Sequence, residues 1–203
     1  MTLSSLVGWA WATGIRVIPA LIKGRFAGAA WELNGVPVVT LAESNPTEAF
    51  WLFDLGHEIG HIAQRHLTTG SVVDVDDPRP TDNNDLLERE ANDFALKLLL
   101  PNHAALLAGV RTATAGNYLR FKDAVAATAR AANVPAGLLG MVAAYELTEI
   151  GQNKDRWGSA TNLAKAEGAG RAIVRDALRA HLETGELPEV DRALIEGVAL
   201  ADQ

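Results

Sequence analysis

The segment His57-Glu58-Ile59-Gly60-His61 constrains this chain more than any other stretch of its 203 residues. On a helix, two histidines four residues apart project from one face, so both imidazoles can reach a single ion. Zinc binds imidazole nitrogen readily, and a catalytic zinc site keeps three protein ligands and an open position for water. Glu58 lies about 100° around the helix from His57, where its carboxylate can take a proton from that water. The motif therefore predicts a metal site suited to hydrolysis.

So short a motif also arises by chance, and the alternative is a buried helix whose two histidines merely share a face. The flanking residues do predict a helix: Asn45 is a candidate N-cap, Pro46 suits the first helical position and Glu48 could complete a capping box. Large apolar residues around the motif would bury this helix in a core, namely Phe50, Trp51, Phe53, Leu55, Ile59 and Ile62. Buried histidines need polar partners, and a metal ion is the obvious one.

A second helix is predicted from about Asp85 to Leu100, where Pro101 ends it. Glu88 on this helix is the candidate third ligand, and Asn92, one turn later on the same face, could hydrogen-bond a ligand. Two alternatives stand beside this interpretation. Glu88 could simply be an acid in the first turn, where it favours the helix dipole, and Glu90 could be the ligand in its place.

Three blocks in this order resemble the ImmA/IrrE family of bacterial metallopeptidases: residues 53–61 (FDLGHEIGH), 88–95 (EREANDFA) and 98–101 (LLLP). The resemblance covers roughly residues 10 to 105. It implies that His57, His61 and Glu88 hold zinc (Zn²⁺) and that Glu58 is the general acid and base. The family's glutamate ligand stands four residues before an Asn or Asp, here Asn92, which favours Glu88 over Glu90.

The remaining N-terminal segments predict strands. Residues 29–33 and 36–41 flank Asn34-Gly35, a strong hairpin signal, and the β-branched residues before Pro19 indicate an edge or interrupted strand. We predict an α+β, zincin-like fold in which a small antiparallel sheet packs on the motif helix and the C-terminal part is mostly α-helical. Residues 1–115 would form the metallopeptidase domain, and residues 116–203 a helical C-terminal region.

Other polar residues suggest lesser roles. Residues 68–84 are rich in Asp and contain two prolines, which predicts an irregular, exposed loop that could gate the site. His66, near the end of the motif helix, is predicted to cap it as a cation and not to ligate metal. The candidates for stabilising an oxyanion are His103, Tyr118, Tyr145 and His181.

Composition excludes several classes of protein. The net charge of −7 argues against the basic surface of a nucleic-acid binder, so no direct nucleic-acid partner is expected. There is no cysteine, the first basic residue is Arg16, and no apolar run is long enough to span a membrane. These features predict a cytoplasmic protein without a membrane partner.

Taken together, the sequence predicts a zinc-dependent endopeptidase. Members of the family that it resembles cut a specific protein partner, typically a helix-turn-helix repressor, in stress responses or mobile-element induction. Residues 1–45 leave no room for a fused repressor domain, so a separately encoded partner is expected. Two alternatives remain open: a zinc-containing binding or antitoxin-like module that does not cleave, and a DNA-binding regulator acting through residues 123–147, whose second helix has few side chains suited to reading bases.

Overall fold

A small sheet and the helices around it make up the described part of the chain. The structure is a computed structural model that describes residues 1–20, 27–42, 47–67, 71–74, 86–115, 117–149, 163 and 170–183. The strands are β1 (Arg16–Ala20), β2 (Gly28–Leu33), β3 (Val36–Ala42) and β4 (Ser71–Asp74). The helices are α1 (Leu3–Ala12), α2 (Glu48–Ala63), α3 (Leu86–Leu99), α4 (His103–Thr114), α5 (Phe121–Ala132), α6 (Ala136–Glu149) and α7 (Gly170–Glu183).

The predicted hairpin supplies the two central strands of the sheet. β2 and β3 pair antiparallel across the Asn34-Gly35 turn, in which both residues have positive φ angles of 52° and 80°. Asparagine and glycine tolerate this conformation, and the resulting tight turn matches the twist of the two strands. The α+β fold class, with a sheet against the motif helix and a helical C-terminal part, is confirmed.

The prediction of a purely antiparallel sheet is wrong at one pair. The strand order is β1-β3-β2-β4, and β1 pairs with β3 in parallel, with Arg16 opposite Val38. The chain reverses direction once between β1 and β2 and again at the Asn34-Gly35 turn. Because β1 lies beside β3 and not beside β2, these two reversals leave the neighbouring strands pointing the same way. The sheet is therefore mixed.

Part of the segment predicted as an irregular loop is a strand. β4 pairs antiparallel with β2, so that Gly28 lies opposite Asp74 and Trp31 opposite Ser71. The backbone of β2 gives these four residues their hydrogen bonds, which local sequence cannot reveal. The rest of the predicted loop, residues 68–70 and 75–84, lies outside the described residues, and its gating role stays a prediction.

Helix α2 is the centre of the fold. Every residue from Ala49 to His61 is buried, which is expected of a helix with neighbours all round. The elements that pack on it are β2 and β3 from the sheet and α1, α3, α6 and α7 among the helices. The helix begins at Glu48 with Thr47 in the N-cap position, so Asn45 is not the N-cap that we predicted.

Two of the described C-terminal helices, α6 and α7, pack against α2. Val174 and Leu178 of α7 are buried in the common core, and α7 contacts α1 and β1 as well as α2. Where α7 begins, a Cβ atom at Gly170 would lie 2.6 Å from Trp51 Cγ. The sequence also predicts a last helix from Pro188 to about Leu200, and these residues lie outside those that the structure describes. Among the described helices, none is long and apolar enough to cross a membrane.

Candidate metal centre

Two imidazole rings of α2 meet where the helix is deeply buried. Nε2 of His57 lies 3.0 Å from Nε2 of His61, and the ring centroids are 4.7 Å apart. Both residues are buried. The four-residue spacing brings the two nitrogens to one point, as it does on any regular helix.

Glu88 completes the cluster from the first turn of α3. Its Oε2 lies 3.1 Å from Nε2 of His57, and its Oε1 lies 3.4 Å from Nε2 of His61. His57, His61 and Glu88 form a group that could hold a metal ion, with one ligand atom from each residue and all of these atoms within 4.8 Å of one another. The structure thus brings together the three residues that the sequence singled out as metal ligands.

The approach of α3 to α2 depends on Gly60. A Cβ atom at this position would lie 3.0 Å from the backbone oxygen of Ala91 and 3.1 Å from its Cα. Ala91 lies between Glu88 and Asn92, the two residues of α3 that contact the histidines. A glycine destabilises a helix interior by about 0.5–1 kcal/mol relative to alanine. Here it lets the backbone of α3 come close enough to place Glu88 in the cluster.

Asn92 orients the first histidine. Nδ1 of His57 lies 2.9 Å from Oδ1 of Asn92, and both residues are buried. Because an amide oxygen can only accept a hydrogen bond, Nδ1 donates and Nε2 keeps a lone pair. Metal-binding histidines typically donate their second ring N–H to an oxygen in this way. The predicted role of Asn92 beside a ligand agrees with this geometry.

The donor set suits a cation. The lone pair of His57 Nε2 and the carboxylate of Glu88 are both acceptors, and they face each other across 3.1 Å in a buried site. A cation held by both groups removes this repulsion. A tetrahedral zinc with bonds of about 2.0–2.1 Å separates its ligand atoms by about 3.3 Å. The three separations of 3.0, 3.1 and 3.4 Å are close to that value.

Glu88 is ionised, as a metal ligand must be. Burial acts to raise the pKa of this carboxyl group. In the metal-free site, hydrogen bonds and positive charge from the His57 and His61 rings, when these carry a proton, outweigh burial and lower the pKa from 4.5 to about 2. A lowered pKa favours the negative carboxylate, which can balance the charge of a bound cation.

Glu90, the rival ligand, lies outside the cluster. Its side chain is 43% exposed, and its Oε2 lies 3.1 Å from Nε2 of His66. Two residues along a helix correspond to a rotation of about 200°, so Glu88 and Glu90 cannot both face His57 and His61. The geometry favours Glu88, in agreement with the choice made from the sequence.

Glu58 is buried between α2 and the sheet. A glycine of β2 faces its carboxylate: a Cβ atom at Gly28 would lie 2.6 Å from Oε1 of Glu58. The missing side chain leaves space for the carboxylate beside the backbone of β2. Sequence reasoning did not find Gly28, because this contact joins residues far apart in the chain and no local motif marks it.

His66, which we predicted to cap the motif helix as a cation and not to ligate the metal, is not in the group that could hold an ion, but its ring lies between His61 and Glu90. The residue is buried, and its Nδ1 lies 3.0 Å from Nδ1 of His61. The imidazole is held between another ring and Glu90, and it is not exposed at the end of the helix dipole. Its position five residues after His61 was the signal for this contact, but only the way the helix ends decides where the ring points.

The two histidines among the candidates for stabilising an oxyanion are not members of the group formed by His57, His61 and Glu88. His181 stacks on Trp11 with 4.1 Å between ring centroids, in the packing of α7 against α1. His103 begins α4. For Tyr118 and Tyr145 the role stays a prediction.

A sequence model of the peptidase M78 family, described as the IrrE N-terminal-like domain, matches residues 14–119. The protein belongs to this family. The match covers just over half of the chain and includes the sheet, α2 and α3, which confirms the resemblance found from the three sequence blocks. Membership of the M78 family indicates a hydrolase of the metallopeptidase type, which agrees with a cluster that could hold a metal ion. The comparison with curated proteins gave no match.

Proposed function

We propose that this M78 protein is a zinc-dependent endopeptidase in which His57, His61 and Glu88 hold the zinc and Glu58 is the general base. The observation that carries the proposal is the convergence of two imidazole nitrogens and a carboxylate at 3.0 to 3.4 Å in a buried site between α2 and α3. Three ligands of this kind leave one position for water, as in a catalytic zinc site, whereas a structural zinc site is closed by four.

The residues divide the chemistry between them. Zinc in such a site acts as a Lewis acid that makes water more acidic and polarises a peptide carbonyl. Glu58, next to His57 on α2, accepts the proton of the attacking water and can return it to the leaving amine. Its burial against β2 limits the rotamers of its side chain and shields it from bulk solvent. Asn92 keeps the His57 ring in the tautomer that a ligand requires.

The sheet supports an extended substrate. β4 is an edge strand of the described sheet, and β2, which carries Gly28 beside Glu58, is its neighbour. An edge strand can bind an extended peptide by adding it to the sheet through main-chain hydrogen bonds. Such a substrate would be an internal stretch of a polypeptide, which favours an endopeptidase over an enzyme that trims chain ends.

Zinc content and cleavage, measured on wild type and Glu58→Gln, test this function. We expect one zinc per chain in both proteins and cleavage by the wild type alone, because the amide that replaces the carboxylate cannot accept the proton. A wild type that binds no zinc when zinc is supplied would refute the metallopeptidase. If Glu58→Gln does not cleave but still supports the protein's full effect in the cell, the result would instead support a zinc-containing binding or antitoxin-like module.

For the substrate we propose a separately encoded helix-turn-helix repressor, cut in the cytoplasm during a stress or mobile-element response. The basis is the family resemblance, because peptidases of this type act on a specific partner. Direct DNA binding by the chain itself is disfavoured by α6, whose residues from Leu138 to Ala144 are buried and so cannot enter a DNA groove.

Incubation of the zinc-loaded protein with purified candidate repressors, followed by mass spectrometry of the fragments, tests the substrate. A single cut made by the wild type and not by Glu58→Gln is the expected result. Salt-sensitive binding of the peptidase to duplex DNA, with all candidate repressors left intact, would point to a DNA-binding regulator instead.

A further inference from the structure

The end of α2 folds the chain back so that His66 lies over His61. Arg65 has a left-handed φ of 61°. The backbone N–H of His66 donates to the carbonyl oxygen of His61 at 2.9 Å, and the N–H of Arg65 donates to that of Ile62 at 3.1 Å. This pair of bonds is the Schellman motif, which often brings two apolar side chains together across the helix end. Here the two residues brought together are the histidines.

The hydrogen bonds of His66 fix the protons on both rings. Nε2 of His66 lies 3.1 Å from a carboxylate oxygen of Glu90, and because a carboxylate only accepts, Nε2 donates. The Nδ1 of a neutral His66 is then an acceptor. Nδ1 of His61, 3.0 Å away, must therefore donate to it. This assignment leaves the lone pair of His61 on Nε2, the nitrogen that faces His57 and Glu88.

We propose that His66 and Glu90 are positioning residues that hold His61 in the tautomer and orientation needed to bind the metal. The inference rests on the proposed zinc site and adds a third histidine to it, one that does not touch the metal. Asn92 does the same for His57 through a single hydrogen bond. His61 is held by two hydrogen bonds in series, one from its Nδ1 to His66 and one from His66 to the half-exposed carboxylate of Glu90. Partners of metal ligands typically change metal affinity by about 10–100-fold when they are replaced.

The geometry accounts for two otherwise costly features. A buried imidazole needs hydrogen-bond partners for both ring nitrogens, and His66 has one on each side. The left-handed region is sterically unfavourable for a residue other than glycine, and Arg65 adopts that conformation at the point where the chain turns back. Both features follow from placing the His66 ring against Nδ1 of His61.

The test is the zinc dissociation constant of the full chain, measured by competition with a chromophoric chelator. His66→Phe keeps the ring volume but removes the acceptor, and we expect it to weaken zinc binding about 10–100-fold. His66→Asn loses volume, but its Oδ1 can stand in place of Nδ1 and accept from His61, so we expect it to recover most of the loss. His181→Phe is the matched control, since His181 bonds to the carbonyl oxygen of Ala177 and not to the cluster.

Which of the two His66 variants binds zinc more tightly decides whether His66 positions His61 or only fills space. If His66 only fills space, Phe binds zinc as tightly as the wild type and Asn is the weaker variant, and the proposal is wrong. If His66→Phe does not fold, Glu90→Ala decides: its side chain is 43% exposed, and weaker zinc binding supports the proposal while unchanged binding overturns it. A wild type without zinc would refute the proposed function itself, whereas tight zinc binding by both wild type and His66→Phe would refute only this inference.

Discussion

Gly28 and Glu58 are so close that a Cβ atom on Gly28 would lie 2.6 Å from Oε1 of Glu58 and 3.1 Å from its Cγ. Real Cβ atoms do not approach other atoms this closely, so any side chain at position 28 must displace the carboxylate or the strand. The position of the proposed general base is therefore set by the absence of a side chain on β2 as well as by the motif on α2.

We predict that Gly28→Ala lowers the rate of cleavage without removing the zinc. A shift of about 1 Å in a catalytic group can reduce the rate about 100-fold. The three atoms nearest to the added methyl group all belong to Glu58, and none belongs to His57, His61 or Glu88. Zinc content and the cleavage rate of one substrate, measured on the same preparation, test this expectation. Gly8→Ala, at an exposed helix position with nothing within 4 Å of the new Cβ, should change neither quantity.

The choice of the third ligand can be tested with two glutamates on the same helix. Glu88→Ala should lose the bound zinc, because it leaves only two protein ligands. Glu90→Ala should still carry one zinc per chain, with a smaller loss of affinity. Zinc bound to the folded state also raises stability, by about 2.7 kcal/mol at a free concentration 100 times the dissociation constant. Thermal unfolding with and without zinc should therefore shift for wild type and Glu90→Ala but not for Glu88→Ala.

Gly60→Ala should increase the distance between α2 and α3. The added methyl group would meet the backbone of Ala91 at 3.0 Å, and the backbone cannot move aside as a flexible side chain can. Overpacking of this kind costs about 1–3 kcal/mol, which urea unfolding in the presence of a chelator would measure. Zinc binding should weaken as well, since Ala91 is flanked by residues that contact the histidines. Gly109→Ala, whose Cβ would meet only Thr128 at an ordinary 3.8 Å, is the control.

Arg65→Gly should stabilise the protein. Glycine adopts a positive φ without the steric cost of about 1–2 kcal/mol that other residues carry, and the gain is reduced by the greater freedom of glycine in the unfolded chain. We expect a net increase of about 1 kcal/mol in the free energy of unfolding. Arg65→Ala should leave stability near the wild-type value, because alanine has the same steric conflict. Equal stability of all three proteins would contradict the role assigned to the backbone here.

The elements that the sequence predicted well are those with strong local signals. The motif helix, the second helix with Glu88 and the Asn34-Gly35 hairpin all have short-range patterns, and their side chains meet as expected. The cluster of His57, His61 and Glu88 was predictable because one helix supplies two of its members at a fixed spacing. The third came from the similarity of the following helix to a known family.

The features that were missed depend on pairing between distant segments. β4 forms only because β2 offers its backbone, and the parallel pairing of β1 depends on which neighbour the strand takes. Gly28 and His66 acquire their importance from what lies opposite them in space. A single sequence contains no signal for such contacts beyond the composition of the residues themselves, which for β4 pointed to a loop.

The packing of α7 on α2 has a consequence for when the protein can act. Val174 and Leu178 belong to the same buried core as the helix that carries both histidines, although they lie far beyond the matched residues 14–119. A chain emerging from the ribosome displays the whole motif long before α7 is synthesised. Until then the side chain of Trp51, which packs against Gly170, is not fully buried. We therefore expect the site to mature only after α7 has emerged, so that a nascent chain is not yet a peptidase.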